Sequence, residues 1–261
     1  AGLFVSSHNV RGKSITEIKQ EIRSLQSLRQ QQGLPPLWIA TDQEGGIVSR
    51  LSPPLVRQPS LSDIVERHSD VSEREKAVRL YARVQGQGLA DLGINLNFAP
   101  VVDVNYQLVN PRDLFTRIHQ RAISRDPAVV AQVAEWYCAA LEETGVRCTL
   151  KHFPGLGRVY EDTHTDEATL KAALADLNDT DWVPFHALMK GSEAFTMLGH
   201  VRLKSMDAET PASFSSAIVS DLIRGYWKYD GVLITDNFTM QAVYRSAFGI
   251  DEASIRALNA G

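Results

Sequence analysis

Apolar and polar positions repeat one order along the chain: a capped helix, a short apolar strand, and then a polar or glycine-containing loop. In the first helix, Ser14 and Glu17 have the spacing of a capping box. Apolar residues then recur every three or four positions until the chain reaches Gly33: Ile15, Ile18, Ile22, Leu25 and Leu28. The spacing therefore predicts an amphipathic helix at the start of the chain.

The same helical signature returns three times, and short apolar runs lie between the helices. The later helices are predicted from the Ser72/Glu75 capping box to about Leu92, from the Asp126-Pro127 cap to about Thr144, and from Asp251 to Asn259. The strands are predicted at Ala1–Ser6, Leu37–Thr41, Ile94–Val102, Val146–Leu150, Ala194–Leu198 and Gly231–Ile234. Strands that alternate with helices predict a parallel sheet in an α/β fold.

Ionisable residues stand at the carboxyl ends of nearly all these strands: Asp42, Asp103, Lys151, His152, His200 and Asp236. A TIM-type (β/α)8 barrel gathers such ends round one axis, whereas an open doubly wound sheet gathers them at one switch point. No glycine-rich dinucleotide fingerprint supports the open sheet. We therefore expect a single catalytic barrel domain over residues 1–261. A barrel needs about eight strands, so we expect one strand to be missing at each end, or else a variant barrel.

Composition excludes several classes of partner. The chain has 261 residues, 44% of them hydrophobic, and a formal net charge of -4, which gives no electrostatic reason to expect nucleic acid or an anionic membrane. No apolar run approaches the roughly 20 residues that span a bilayer, and no signal peptide is evident. Cys138 and Cys148 are expected to be reduced, buried thiols in a cytoplasmic protein, although the incomplete look of the N-terminus leaves a secreted form open.

The stretch from Leu150 to His164 places two histidines, a lysine and a carboxylate on a Gly/Pro loop after an apolar strand. This density of proton-transfer groups favours a functional loop over a merely solvated one. Asp162 lies two residues before His164, so it can orient the imidazole. Asp236 follows another strand and is either a helix N-cap or a nucleophile. A nucleophile with an oriented acid/base is typical of a two-step hydrolase.

Donors and acceptors on other loops suit a hydroxyl-rich ligand: Asp42, Arg50, Arg121, Lys151 and His152. His200 ends a strand and is a candidate sugar contact or supporting residue. The rival interpretation is a metal site built from Asp42, His152, His164, His200 and Asp236, but no compact metal-binding spacing occurs. We expect no metal and no cofactor.

Four segments resemble the signature segments of family 3 glycoside hydrolases, in the family's order and over essentially the whole chain. They are most similar to its bacterial β-N-acetylglucosaminidase branch. The segments are Thr41–Arg50, Lys151–Gly157, Asp162–His164 and Ile234–Met240. The resemblance implies that Asp236 is the nucleophile, His164 the acid/base and Asp162 its partner. It implies sugar-holding roles for the following residues: Asp42, Arg50, Arg121, Lys151 and His152.

The resemblance also implies an activity. We expect a retaining exo-β-N-acetylhexosaminidase that removes terminal β-linked GlcNAc from peptidoglycan-derived fragments, with a GlcNAc-terminated saccharide or muropeptide as partner. Leu156 and Asn237 stand where the family usually has His and Asp, which bears on substrate preference. The alternatives are a family 3 β-glucosidase and a catalytically silent carbohydrate-binding barrel. If the loop must close for catalysis, the unliganded protein is expected to hold His164 away from Asp236.

Overall fold

The computed structural model describes residues 1–244 and 249–261 as an α/β fold. The strands are β1 Gly2–Phe4, β2 Trp38–Thr41, β3 Gln43–Gly45, β4 Val48–Ser49, β5 Leu96–Asn97, β6 Thr149–Phe153, β7 Ala168–Leu170, β8 Phe195–Leu198, β9 Val201–Leu203, β10 Asp207–Pro211 and β11 Leu233–Thr235. The helices are α1 Ser7–Val10, α2 Ile15–Gln31, α3 Leu61–Arg67, α4 Val71–Leu92, α5 Ile118–Arg121, α6 Pro127–Glu142, α7 Leu174–Asp179, α8 Val183–Gly191, α9 Gln241–Tyr244 and α10 Gly249–Ala260, with a 3₁₀ helix at Ala212–Phe214 and a π-helix at Ala217–Tyr226.

The chain forms two compact units. The first unit is Ala1–Pro100 with Glu135–Thr149, and the second unit is Val101–Ala134 with Leu150–Gly261. Every one of the six strands predicted from the sequence is present, as β1, β2, β5, β6, β8 and β11. Among the described residues the strands form four separate sheets, so the closed barrel stays a prediction, as does the single domain.

In the first unit, β1, β2 and β5 form a sheet whose neighbouring strands are parallel. The predicted capping box of α2 is confirmed, because the Ser14 hydroxyl accepts from the Glu17 N–H while the Glu17 carboxylate accepts from the Ser14 N–H. The predicted box at Ser72 is wrong. Asp70, two residues earlier, accepts from the Glu73 N–H at 2.9 Å and starts α4 at Val71. The first N–H groups of a helix have no acceptor within the helix, and the Asp70 carboxylate accepts from one of them. Asp70 is therefore the N-cap residue of α4.

The cysteines contradict the sequence expectation of reduced thiols. Cys138 on α6 and Cys148 just before β6 form a disulfide, with their Cα atoms 5.5 Å apart. After α6, Gly145 adopts a φ of 81°, a left-handed conformation that favours glycine at helix ends. This turn brings the chain back beside the helix, so two cysteines that belong to a helix and a strand pattern in the sequence meet in space. Both are buried.

In the second unit, β6, β8 and β11 are neighbours in one sheet. The β8 and β11 strands are parallel, with Met197 opposite Ile234 and Leu198 opposite Thr235. Behind the end of β6, the Phe153 ring packs against three other aromatic rings, with centroid distances of 5.2–5.8 Å: Trp182, Phe185 and Trp227. This buried aromatic cluster fixes the strand end from which the histidine-rich loop starts.

The second unit also contains a small sheet that the sequence pattern did not predict. It consists of β7, β9 and β10, with β7 parallel and β10 antiparallel to β9. The strands have only 3–5 residues, and such short runs give little periodicity to detect. Across residues 1–244 and 249–261, no helix has both the length and the apolar character needed to cross a membrane.

The disulfide leads to a stability prediction. Replacing both cysteines by alanine removes a cross-link that restricts the unfolded chain, and we expect the free energy of unfolding to fall by about 2–4 kcal/mol. Urea unfolding of the wild type and the Cys138→Ala/Cys148→Ala variant measures the difference. A reductant is expected to lower the wild-type midpoint towards that of the variant and to leave the variant unchanged. Two alkylatable thiols in the unreduced, denatured wild type would contradict the disulfide.

Candidate active site

In the second unit, four of the predicted site residues lie at the ends of adjacent strands. Lys151 and His152 lie in β6, His200 follows β8, and Asp236 follows β11. Backbone hydrogen bonds continue past the strands, since the Gly199 N–H donates to the Phe153 carbonyl and the Asp236 N–H donates to the Leu198 carbonyl. The parallel sheet therefore gathers these four residues at one edge, as the strand-end pattern predicted.

His152 is held by a buried carboxylate that the sequence analysis recognised as a strand-end residue but gave no role. Asp103, fully buried, accepts the His152 N–H at 3.2 Å and lies 2.8 Å from its Nδ1. It also accepts the Leu156 N–H at 2.7 Å, so it fixes the backbone on both sides of the Phe153-Pro154 turn. With Nδ1 bound to Asp103, Nε2 is the nitrogen of His152 that faces the site.

Arg121 lies beside His152, although it is outside the four signature segments. Its Nη2 is 3.5 Å from His152 Nε2, and its Nη1 donates to the Thr116 carbonyl at 2.7 Å. Lys151 is almost completely buried, with 2% of its surface exposed. An ammonium and a guanidinium at one strand end provide donors for a ligand rich in hydroxyl groups.

The predicted Asp162–His164 pair is present. His164 Nδ1 lies 3.2 Å from Asp162 Oδ1, and the His164 N–H donates to the same oxygen at 3.1 Å. The other carboxylate oxygen accepts the backbone N–H groups of Leu114 and Phe115 at 3.0 and 3.1 Å. The Thr116 hydroxyl adds a hydrogen bond of 2.9 Å to Oδ1. The Leu114–Thr116 loop, which is 46–48 residues away in sequence, therefore fixes the Asp162 carboxylate, and this carboxylate orients the His164 ring.

These contacts set the charge of Asp162. Burial alone would raise the pKa of Asp162, but the N–H groups of His164 and Leu114 and the Thr116 hydroxyl outweigh burial, so the pKa lies below its ordinary value of 3.8. The carboxylate is therefore ionised at neutral pH and can support a positive charge on the imidazole.

The loop that carries His164 is docked on the segment that follows Asp236. The Gln241 N–H, at the start of α9, donates to the His164 carbonyl at 2.8 Å. Burial lowers the pKa of His164 below 6.5, while the charges of Asp236 and Asp162 act in the opposite direction. His164 is thus within electrostatic reach of Asp236. The expectation that the loop must close for catalysis stays a prediction.

Asp236 combines partial exposure with a stabilised negative charge. Its Oδ1 accepts the Asn237 N–H at 2.8 Å. Burial alone would raise the pKa of Asp236, but His152, His200 and the Asn237 N–H outweigh it, so the pKa lies below 3.8. An ionised, rigidly mounted carboxylate is the form that a nucleophile needs.

His200 lies under this loop, with 3% of its surface exposed. Its Nδ1 is 2.8 Å from the Ser213 hydroxyl, and its Nε2 is 3.3 Å from the Asn237 carbonyl. Both ring nitrogens are therefore engaged within the protein. Of the two roles left open by the sequence, this position favours support of the Asp236 loop over direct contact with a sugar.

Asp42 and Arg50 belong to the first unit, at the β3–β4 hairpin. The Arg50 N–H donates to the Asp42 carbonyl at 3.0 Å, and Arg50 Nε lies 4.0 Å from Asp42 Oδ2. Asn97, which is buried, fixes the start of the hairpin by exchanging two hydrogen bonds with the Gln43 backbone, at 3.0 and 2.9 Å. The carboxylate and guanidinium are therefore presented on a rigid backbone.

In the part of the chain that the structure describes, no three His, Cys, Asp or Glu side chains cluster in a way that could hold a metal ion.

Comparison with known proteins identifies the family. The family model described as "Glycosyl hydrolase family 3 N terminal domain" matches residues 1–261 of the chain. The chain belongs to glycoside hydrolase family 3. The resemblance found in its signature segments is thereby confirmed.

Family 3 relatives cover most of the chain. It is 36% identical over 232 residues to the β-hexosaminidase LpqI of Mycobacterium tuberculosis, covering 87% of this chain and 57% of LpqI. It is 33% identical over 244 residues to a β-hexosaminidase of Stenotrophomonas maltophilia, covering 93% of this chain and 70% of that protein. The chain thus spans little more than half the length of LpqI.

Solved structures share its fold. A family 3 β-N-acetylglucosaminidase from Paenibacillus superposes with a TM-score of 0.90 at 30% identity, over 100% of this chain and 47% of that one. NagZ from Neisseria gonorrhoeae in complex with N-trifluoroacetyl-D-glucosamine superposes with a TM-score of 0.86 at 28% identity, over 100% of this chain and 71% of that one.

The surroundings of His164 predict its titration. Because burial holds its pKa below 6.5, the NMR titration midpoint of the His164 ring is expected below pH 6.5. Asp162→Asn removes a negative charge that favours the protonated ring, so the midpoint is expected to fall further. Asp166→Asn, an exposed carboxylate in the same loop, is the matched control and is expected to leave the midpoint in place. A rise of the midpoint in Asp162→Asn would contradict the pairing.

Proposed function

We propose that the protein is a retaining exo-β-N-acetylhexosaminidase that removes terminal β-linked GlcNAc through a glycosyl-enzyme on Asp236. The Asp162–His164 pair, whose loop is hydrogen-bonded to Gln241 in the segment that follows Asp236, supports this activity most directly. The names of the family 3 relatives support the choice of sugar. No cofactor enters the proposed reaction.

In the first step, the Asp236 carboxylate attacks the anomeric carbon and the bond to the leaving oxygen breaks. His164, protonated at Nε2, gives its proton to that oxygen, so the leaving group departs as an alcohol. The positive charge on the ring is balanced by the ionised Asp162. A pKa below 6.5 makes this proton readily transferable, and it also means that the rate falls as pH rises above that pKa.

In the second step, the now neutral His164 takes a proton from water as the water attacks the anomeric carbon. The bond to Asp236 breaks, the sugar leaves with its original configuration, and His164 is protonated again. A neutral imidazole does not repel an anionic acceptor, so phosphate is a second candidate for the attacking group. Hydrolysis remains the proposal because water needs no binding site for an anion.

Sugar binding falls to the donors and acceptors near the strand ends. Arg121, Lys151 and His152 are proposed to hold hydroxyl groups of the non-reducing-end sugar, with the ring of His152 oriented by Asp103. Asp42 and Arg50 are proposed for the same task from the β3–β4 hairpin. Fixed polar partners of this kind give a sugar site its orientation and specificity.

The wider setting is also a proposal. A TIM-type barrel agrees with the strand order and with the TM-scores of the family 3 neighbours. A peptidoglycan-derived muropeptide as substrate rests on the family resemblance. The cytoplasmic location remains a prediction, and the Cys138–Cys148 disulfide weighs against it, because reducing compartments rarely preserve such bonds.

Trapping tests the proposed nucleophile. A 5-fluoro N-acetylglucosaminyl fluoride combines a good leaving group with an electron-withdrawing fluorine, so the glycosyl-enzyme is expected to accumulate in the full-length protein. Mass spectrometry of the digested protein is expected to find the adduct on Asp236. The adduct is expected to be absent in Asp236→Asn and retained in Asp230→Asn, an exposed aspartate six positions away.

Other outcomes of this experiment would favour other functions. An adduct on a different residue would refute the assignment of Asp236. Turnover of the substrate without any adduct would point to the 2-acetamido group as the nucleophile. A better rate with aryl glucosides than with aryl GlcNAc would favour a β-glucosidase, and binding of sugar without turnover of either would favour a silent carbohydrate-binding protein.

A further inference from the structure

We propose that Thr116 is a positioning residue of the acid/base, and that its hydroxyl fixes the tautomer and orientation of His164. The inference rests on the proposed function of His164. Thr116 lies in an irregular loop between β5 and α5, outside the four signature segments, and has 2% of its surface exposed. Its hydroxyl nevertheless touches each residue of the Asp162–His164 segment.

The contacts of the Thr116 hydroxyl are short and local. Oγ1 donates to Asp162 Oδ1 at 2.9 Å, accepts the Thr163 N–H at 3.0 Å, and lies 3.2 Å from His164 Nδ1. The Thr163 hydroxyl is 3.1 Å away. The position of the hydroxyl is fixed from the other side as well, because the Thr116 carbonyl accepts from Arg121 Nη1 at 2.7 Å.

Hydrogen-bond capacity shows why His164 needs this oxygen. A carboxylate offers about four lone-pair sites. At Asp162, two are taken at Oδ2 by the Leu114 and Phe115 N–H groups, and two at Oδ1 by the Thr116 hydroxyl and the His164 N–H. The Nδ1–H of His164 arrives as a further donor. Thr116 Oγ1, at the same 3.2 Å as Asp162 Oδ1, offers it a second acceptor.

The hydroxyl can meet this demand in only one way. Its single proton goes to the ionised Asp162 and one of its two lone pairs accepts the Thr163 N–H, so it can offer Nδ1 only the remaining lone pair. In neutral His164, the proton therefore sits on Nδ1 and the lone pair on Nε2. This is the form that can take a proton from water in the second step, and its protonated form carries the acidic proton on Nε2. Without the hydroxyl, the ring loses one of two Nδ1 acceptors, and both its tautomer and its orientation are less restricted.

Two variants separate the hydroxyl from the shape of the side chain. Thr116→Val keeps the volume and removes the hydroxyl, whereas Thr116→Ser keeps the hydroxyl. Thr169→Val, on β7 in the same unit, controls for a threonine-to-valine change away from the site. The variants are made in the full-length protein and compared with His164→Ala. The first measurement is the ¹⁵N shift of the His164 ring above its pKa, which reports the tautomer without any substrate.

The second measurement is kcat/KM for a methyl and a dinitrophenyl β-GlcNAc glycoside, because only the poor leaving group needs a proton from His164. Thr116→Val is expected to slow the methyl glycoside about tenfold, part of the 10²–10⁴ range of acid/base catalysis, and the dinitrophenyl glycoside less than about twofold. Its ¹⁵N shifts are expected to show mixed tautomers. Thr116→Ser and Thr169→Val are expected to resemble the wild type in both measurements.

Three results would overturn the inference: an unchanged Nδ1–H tautomer in Thr116→Val, equal losses with both glycosides, or a loss in Thr116→Ser as large as in Thr116→Val. The failure of the proposed function looks different. In that case the wild type cleaves neither glycoside, or His164→Ala loses both equally, while the tautomer measurement still decides whether Thr116 positions the ring.

Discussion

The carboxylate of Asp162 lies buried beside an imidazole that, in the proposed reaction, changes charge twice in each turnover. Five donors point at this carboxylate, from His164 and from the Leu114–Thr116 backbone and hydroxyl. They keep it ionised despite burial, and so it can stabilise the protonated ring without taking up the proton itself. Loss of that negative charge would leave a ring that burial already disfavours in its charged form.

The protein contains a second Asp–His pair with a different design. Asp103 holds His152 at the end of β6, with both residues buried and the aromatic cluster around Phe153 behind them. His164 has about a third of its side chain exposed and sits on a loop. A rigid, buried histidine suits the binding of a fixed hydroxyl group, whereas a more exposed one can meet both a leaving group and a water. In the proposed reaction, the same residue pair thus supports binding in one place and proton transfer in the other.

The sequence predicted the contacts that follow from a strand pattern or from adjacency in the chain, and it missed the distant contacts that neither of these indicates. Lys151, His152, His200 and Asp236 were predicted to meet because each ends an apolar strand, and parallel strands align their ends. Asp162 and His164 were paired because they are two residues apart. Thr116 and the partnership of Asp103 with His152 were missed because these contacts span 46–49 residues and carry no periodic signal. The disulfide was missed because the turn at Gly145, which joins Cys138 to Cys148, depends on backbone geometry.

The central claim is that His164 delivers and removes the proton while Asp236 forms the bond, and azide tests both at once. In His164→Gly, the activated dinitrophenyl glycoside still loads Asp236, but the water that should release the sugar lacks its base. Azide needs no base and fits the space that the imidazole leaves. Azide is expected to accelerate turnover, and NMR is expected to identify the product as the β-glycosyl azide. An α-glycosyl azide, or azide acceleration in Asp236→Gly but not in His164→Gly, would contradict it.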